Sequence, residues 1–363
     1  MTIPPPMRHA HPYHMHEAIL GQPDAISRML AEERHSIGAL ADIARNVEQI
    51  HIVGIGTSWH ASLVGEYLLT TVGDREDARA WNSFEFCSRP PALSESDLVI
   101  VMSHRGTKMY SAQALEHARQ AGAATAIVTG VGSAANTDLA DAVVRTTISD
   151  PSSAFTISHT GAMTALSMLA AELGDSPEGT ILKNELSRLP DLVSGALKSE
   201  DSIKNWATAT ADIQRHYFTG WGPNTSTAYE VSLKMKEANY STTEGLQLEQ
   251  YLHGPFVSTD EGCQVTFVAP PTTGKDRVVD LMGAAKEVGA RTAAIVQAGD
   301  ETRSLLVDTA ISVPAVSELL SPIVYLVPLQ LYTYWLALEL DHNPDTFRLD
   351  DPRHMSAKAH YQL

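Results

Sequence analysis

The chain has 363 residues, a 44% share of hydrophobic residues and a formal net charge of −17. This length fits two or three domains, or one large duplicated unit, with enough apolar residues for a buried core. The acidic balance argues against nucleic-acid binding, and with only two cysteines we expect no disulfide framework and no cysteine-based zinc site. No apolar run is long and uncharged enough to span a bilayer, and no signal-peptide segment opens the chain. We therefore expect a cytoplasmic protein without membrane partners.

The first half alternates between buried strands and helices. A helix predicted over residues 23–46 leads into this region, and strands and helices then follow in turn. The strands are predicted over 49–56, 97–103, 125–129 and 143–148, and the helices over 58–71, 110–121 and 159–173. Strands that alternate with helices predict a parallel sheet covered on both faces.

The second half repeats this pattern. Strands are predicted over 216–222, 264–269, 292–296 and 309–313, and helices over the segment of Lys234, over 275–288 and over 322–340. Corresponding positions keep a nearly constant separation, as Gly56 with Gly222 and Ser103 with Ala269 show, and this indicates internal duplication. We predict an α/β chain of two tandem flavodoxin-like, three-layer sandwiches with parallel sheets. The expected segments are a helical lead-in (1–48), a first sandwich (49–186), a helical linker (187–204), a second sandwich (205–345) and a C-terminal tail (346–363).

Three loops at strand ends of the first half carry hydroxyl groups and cations. Glycine lets the backbone approach a ligand, and a helix N-terminus supplies free N–H groups. One loop adds an arginine and a lysine, which suit a phosphate. The loops predict a polyhydroxy ligand with an anionic group, such as a sugar phosphate, and they lack the dinucleotide-binding glycine spacing of a dehydrogenase. The residues expected to bind the ligand are Gly56, Thr57, Ser58, Ser103, His104, Arg105, Thr107, Lys108, Ser158 and His159.

One helix of the second half places Lys234 and Glu237 a turn apart, and the chain then reaches His253 in a His-Gly-Pro corner. A lysine, a carboxylate and a histidine in one local unit suit proton transfer beside a carbonyl. The residue types alone leave open an ordinary ion pair on a helix face and a histidine in a turn.

These segments resemble the sugar isomerase (SIS) domain family, above all the isomerase half of glucosamine-6-phosphate synthases. The strongest match is Leu-Lys-Met-Lys-Glu at 233–237, followed by His-Gly-Pro at 253–255. Gly-Thr-Ser-Trp-His-Ala at 56–61 resembles a family loop of the same kind. Weaker similarities lie at 83–86, at 158–162 and in the tail at 353–358.

The resemblance implies roles for four residues. Glu237 would shuttle a proton between C1 and C2 of an open-chain sugar. His253 would assist ring opening, and in the family this histidine can come from a partner subunit. Lys358 would lie near the carbonyl on a tail over the active site, with Lys234 close by. The resemblance also implies a homodimer with a shared active site, and the chemistry needs neither metal nor cofactor.

The chain departs from the family in two respects. The family's phosphate loop is usually Ser-x-Ser-Gly-x-Thr, whereas Arg105 and Lys108 make this loop more cationic. The glutaminase domain of the synthases has no counterpart in this sequence, so we expect no glutamine hydrolysis. The expected function is a phosphosugar isomerase or aminosugar-phosphate isomerase-deaminase with an enediol or enamine intermediate. Two alternatives stay open: a fructosyl-amine phosphate deglycase and a non-catalytic module that binds sugar phosphates.

Overall fold

The computed structural model describes residues 6–148 and 150–361. The first five residues of the predicted lead-in, Ser149 and the last two residues of the predicted tail lie outside the described part. The chain forms two compact units. The first-sheet unit comprises residues 21–150, 155–190 and 348–363, and the second-sheet unit comprises residues 1–20, 151–154 and 191–347.

Each unit is built on a five-stranded parallel sheet. The first sheet contains β1 (Gln49–Gly54), β2 (Arg79–Asn82), β3 (Asp97–Met102), β4 (Ala124–Val131) and β5 (Ala142–Ile148). The second contains β6 (Arg215–Gly220), β7 (Thr242–Gln247), β8 (Cys263–Ala269), β9 (Arg291–Gln297) and β10 (Thr309–Val313). The strand orders are β2-β1-β3-β4-β5 and β7-β6-β8-β9-β10, so the two sheets share one topology. The predicted α/β fold with two parallel sheets and internal duplication is confirmed.

Helices connect and cover the strands. The early helices are α1 (His14–Leu20), α2 (Gln22–Glu32), α3 (Arg34–Arg45), α4 (Thr57–Thr71), α5 (Ser83–Ser88), α6 (Met109–Gln120), α7 (Ile157–Leu173) and α8 (Pro177–Leu186). The later ones are α9 (Leu189–Leu197), α10 (Glu200–Ala209), α11 (Asn224–Ala238), α12 (Leu248–Leu252), α13 (Lys275–Glu287), α14 (Glu301–Ser304), α15 (Ser321–Val324), α16 (Leu326–Glu339) and α17 (Pro352–Ala357). Within the described residues, no helix combines the length and apolar character that crossing a bilayer requires.

The duplication is visible in the turns that follow the first strand of each sheet. A Cβ on Gly54 would lie 2.6 Å from the backbone of Ser58, and one on Gly220 would lie 2.4 Å from that of Asn224. Glycine therefore lets each strand run directly against the helix that follows it. Two residues later, Gly56 and Gly222 both have positive φ, 57° and 53°.

Three details differ from the sequence prediction. The helix predicted over 23–46 is broken at Glu33, whose carboxylate accepts a hydrogen bond from the N–H of Arg145 (3.0 Å). The helix predicted over 322–340 is divided at Tyr325 into α15 and α16. The strands β2 and β7, which lie next to the first strand of each sheet, were not predicted.

Candidate active site

The first predicted loop joins β1 to α4. Gly56 adopts φ 57° and ψ −129°, a conformation that L side chains rarely adopt, and it precedes the first residue of α4, Thr57. Thr57 and Ser58 line a cavity at the carboxyl ends of the first sheet. The N-terminus of α4 thus presents two hydroxyl-bearing residues to this cavity.

The second loop follows β3 and contributes Ser103 and His104 to the same cavity. Among the described residues, the buried Ser103 Oγ has no hydrogen-bond partner. His104 Nε2 accepts a hydrogen bond from the N–H of Asp150 (3.2 Å), so the ring proton is on Nδ1 in the neutral form. Burial and the nearby Arg105 cation lower the pKa of His104 to about 4, which keeps the ring neutral at pH 7. Gly130 makes room for it, because a Cβ there would lie 2.7 Å from the ring Cε1.

The cations of this loop lie outside the cavity lining. The Arg105 guanidinium stacks 4.5 Å from the centroid of the Phe155 ring, and its Nη2 donates to the backbone carbonyl of Asp150 (3.4 Å). Thr107 is exposed, and Lys108 precedes α6 as its N-cap without making a side-chain cap. Arg105 is thus the cation of the loop that the fold orients, through an aromatic face and a carbonyl.

The third predicted segment is the start of α7. Ser158 and His159 are buried there and line the cavity. The Asp150 carboxylate accepts hydrogen bonds from the N–H of Thr156 (2.9 Å) and from Ser158 Oγ (3.3 Å). Sequence reasoning missed Asp150, because an aspartate before a proline at a strand end is also an ordinary turn residue.

The structure therefore brings six of the predicted ligand-binding residues into one cavity of the first-sheet unit, the cradle cavity. They are Thr57, Ser58, Ser103, His104, Ser158 and His159. The cavity combines hydroxyl groups with two imidazoles and is lined on its apolar side by Met102, Val128, Phe155 and Ala162. Such a lining suits a small polyhydroxy ligand.

In the second-sheet unit, α11 carries a buried lysine between two carboxylates. Lys234 has a side chain that is 1% exposed, and its Nζ forms an ion pair with Glu237 Oε2. Glu230, whose side chain is 0% exposed, places Oε1 3.6 Å from the same Nζ. Glu237 keeps 16% of its side chain exposed, so this carboxylate is the member of the triad that a solute can reach. The spacing of three and four residues puts all three groups on one helix face.

His253 and Lys358 lie on exposed surfaces. His253, at the C-terminal end of α12, has a side chain that is 73% exposed, and its Nδ1 contacts the backbone carbonyl of Glu249 (2.8 Å). This contact leaves Nε2 as the outward-facing nitrogen. Lys358 follows α17 in an exposed stretch of the first-sheet unit. The roles that the family resemblance implies for these two residues stay predictions.

The loop of the second sheet that corresponds to Gly56-Thr57-Ser58 is filled by protein side chains. The buried Trp221 packs against Gly274, where a Cβ would lie 2.5 Å from the indole. Its Nε1 donates to Thr272 Oγ1 (3.0 Å), which donates in turn to Glu318 Oε1 (3.0 Å). This carboxylate lies 3.0 Å from the Cβ position of Gly222. An indole and an acidic group therefore face the turn whose counterpart in the first sheet lines the cradle cavity.

Comparison with known proteins identifies a family model and curated relatives that match this chain. The family model for the SIS domain matches residues 43–172. A glutamine–fructose-6-phosphate aminotransferase (isomerizing) of Thermococcus kodakarensis is 34% identical over 348 residues, covering 92% of this chain and 56% of the relative. The chain thus spans little more than half the length of this curated relative.

Two solved structures share the fold over nearly the whole chain. The C-terminal domain of glucosamine-fructose-6-phosphate aminotransferase from Francisella tularensis has a TM-score of 0.83 at 19% identity, covering 93% of this chain and 99% of that domain. Tagatose-6-phosphate ketose/aldose isomerase from Escherichia coli has a TM-score of 0.77 at 19% identity, covering 95% and 98%. At this identity the similarity establishes the fold of the chain.

Proposed function

Because this chain belongs to the SIS-domain family, we propose that it is a phosphosugar isomerase or an aminosugar-phosphate isomerase-deaminase that works through an enediol or enamine intermediate. The observation that carries the proposal is the Lys234–Glu237 pair on α11. It combines a carboxylate that solutes can reach with a buried ammonium group that helix packing holds in place.

The proposed reaction moves one proton between neighbouring carbons. The Glu237 carboxylate accepts the proton from the carbon beside the carbonyl or imine, and the C–H electron pair forms the new C=C bond. The carbonyl oxygen or imine nitrogen takes up a proton from solvent to give the enediol or enamine, and the hydroxyl group that becomes the new carbonyl releases a proton to solvent in the second step. The same carboxyl group then returns the proton to the adjacent carbon. The Lys234 ammonium offsets the negative charge that develops on the substrate oxygen during both steps. Glu230 holds the ammonium from the other side, so the cation is fixed before substrate binds.

We infer that the substrate's phosphate group binds at the cradle cavity. Ser103 Oγ is buried and has no partner within the described residues, so it can donate to a phosphate oxygen without breaking an existing bond. Arg105 adds a fixed positive charge on the same loop. The proposal assigns binding of the sugar phosphate to the cradle residues and proton transfer to Glu237, and each role is open to a direct test.

The test is proton NMR of the protein in deuterated water with fructose 6-phosphate, glucosamine 6-phosphate and a fructosyl-amine 6-phosphate. We expect exchange of the C1 or C2 proton, and its loss in Glu237→Gln. Ser103→Ala should raise KM for the same compound. Glu261→Gln, an exposed carboxylate of the same unit, is the matched control and should retain the wild-type rate.

The outcome separates the candidate functions. Ammonia release from glucosamine 6-phosphate would identify a deaminase, and cleavage of the fructosyl-amine would identify a deglycase. Saturable binding without exchange would support a sugar-phosphate-binding module and refute the enzyme. Exchange that persists in Glu237→Gln would refute the role of this carboxylate.

A further inference from the structure

Asp150 joins the second loop to the start of α7. It is 1% exposed, and it forms hydrogen bonds with residues of both segments. Its N–H donates to His104 Nε2, its carbonyl accepts from Arg105, and its carboxylate accepts from Thr156 and Ser158. A buried carboxylate is costly unless such bonds compensate it, so its presence at this position calls for a role.

The first consequence concerns Ser158. Its hydroxyl has one proton, and an ionised carboxylate is an acceptor only. The hydrogen bond of 3.3 Å therefore directs the Ser158 proton toward Asp150 and leaves the lone pairs of Oγ for the cavity. In this state Ser158 can accept a hydrogen bond from a ligand but cannot donate one to a phosphate oxygen.

The second consequence concerns the N-terminus of α7. A helix N-terminus attracts anions through its free N–H groups and its dipole. Here the Asp150 carboxylate already accepts from the N–H of Thr156, the residue that precedes the first residue of α7. The protein's own carboxylate thus already accepts from one N–H group at this helix N-terminus and disfavours an anionic substrate group there. The remaining groups for an anion are Ser103, which lines the cradle cavity, and Arg105, which lies outside the lining on the same loop.

We propose that Asp150 is the specificity-determining residue of the cradle: it makes Ser158 an acceptor that selects a hydroxyl group and confines the anionic group to the loop of Ser103 and Arg105. The ligand class is a phosphorylated polyol or open-chain sugar, with one hydroxyl group donating to Ser158. This inference rests on the proposed function for the identity of the ligand and concerns binding alone.

The test compares two unreactive probes, inorganic phosphate and sorbitol 6-phosphate, by calorimetry on the full chain. The measured quantity is the ratio of their affinities. In Asp150→Ala the Ser158 hydroxyl rotates freely, so we expect this ratio to fall about tenfold, the value of one hydrogen bond. The affinity for inorganic phosphate should not fall, since the anion site lies on the loop of Ser103 and Arg105 and the N-terminus of α7 no longer faces a carboxylate.

Two further variants separate orientation of Ser158 from a structural effect. Asp150→Asn keeps an acceptor oxygen for Ser158 and should retain the wild-type ratio. Ser158→Ala should lower the ratio as Asp150→Ala does, and the double variant should lower it no further. Asp141→Asn is the matched control, because Asp141 also accepts from a backbone N–H, that of Thr125 (2.9 Å), and lies outside the cradle.

An unchanged ratio in Asp150→Ala would overturn the proposal, and so would an equal loss of phosphate and sorbitol 6-phosphate binding. Additive losses in the double variant would overturn it as well. If the ratio responds as expected while the protein catalyses no proton exchange, the proposed function fails and the inference about Asp150 stands. If proton exchange occurs while the affinity ratio is unchanged, the proposed function stands and the inference about Asp150 fails.

Discussion

The buried ammonium group of Lys234 forms an ion pair with the carboxylate of Glu237, which keeps 16% of its side chain exposed. On its other side the ammonium group faces Glu230, whose side chain is 0% exposed. One ammonium group thus lies between two carboxyl groups in a largely buried place. The triad is therefore stable only as a unit, since removal of the lysine would leave two like charges facing each other.

Lys234→Met should destabilise the protein by about 3–5 kcal/mol, the usual cost of breaking a buried ion pair from one side. The measurement is urea unfolding of the full chain. Lys236→Met on the same helix is the control: it removes only the hydrogen bond from Nζ to Ser232 Oγ (3.2 Å) and should change stability by less than about 1.5 kcal/mol. Adding Glu230→Gln to Lys234→Met should restore part of the loss, and no recovery would contradict the triad.

Stability should fall as the pH is lowered from about 6.5 to 4. Burial lowers the pKa of both His104 and His216 to about 4. In that interval the unfolded chain binds protons at these histidines while the folded chain does not, so acid favours unfolding. Each histidine contributes at most about 3 kcal/mol to this loss, because one pKa unit corresponds to about 1.4 kcal/mol.

His216→Leu provides the check on this pH dependence. His216 lies in β6 of the second-sheet unit and contacts the carbonyl of Ile213 through Nε2 (3.1 Å). The variant should show a shallower fall of unfolding free energy between pH 6.5 and 4 in urea titrations. A slope equal to that of the wild type would show that His216 is protonated in the folded state.

Arg105→Gln should weaken binding of inorganic phosphate about tenfold and reduce its dependence on ionic strength. In the proposed site the guanidinium would supply a charge-assisted hydrogen bond to the anion, and such bonds contribute about 1.5–3 kcal/mol. Calorimetry at two salt concentrations measures both effects. Arg119→Gln, which removes a surface ion pair with Asp141 (2.7 Å), should leave phosphate affinity unchanged. Equal effects of the two substitutions would rule out a specific role for Arg105.

The homodimer with a shared site stays a prediction and can be tested by mixing variants. The side chain of His253 is exposed in the isolated chain. A residue that acts in a partner subunit's site must be exposed in this way. If His253 acts across an interface, inactive His253→Ala and Glu237→Ala should regain up to about a quarter of the activity after subunit exchange. Verified mixed dimers without activity would show that each chain uses its own histidine.

Much of the fold follows from residue pattern, and the missed elements have physical reasons. The strand β3 was predicted because five of its six residues are apolar, whereas β7 reads Thr-Thr-Glu-Gly-Leu-Gln and exposes Thr242 and Glu244. An edge strand gains its stability from pairing with a neighbour that is distant in sequence, which no local pattern reveals. The break at Glu33 likewise depends on its bond to the N–H of Arg145, far along the chain.

The candidate site shows the same division. Its residue types and loops were predictable because hydroxyls and cations follow glycine at strand ends. The direction of the Ser158 hydroxyl was not, because it depends on the carboxylate of Asp150 eight residues earlier, across a loop. The complete burial of Glu230 could not be predicted from the sequence either, since a glutamate on a helix is exposed in most proteins.

The side chains that occupy the second-sheet turn have a consequence for stoichiometry. Trp221 fills the space there, and Glu318 faces it with a negative charge. Although the halves share one topology, the turn after β6 therefore offers an anion a bulky indole and a like charge. A calorimetric titration with inorganic phosphate should accordingly saturate at a single equivalent per chain, so that two copies of the scaffold provide one binding site.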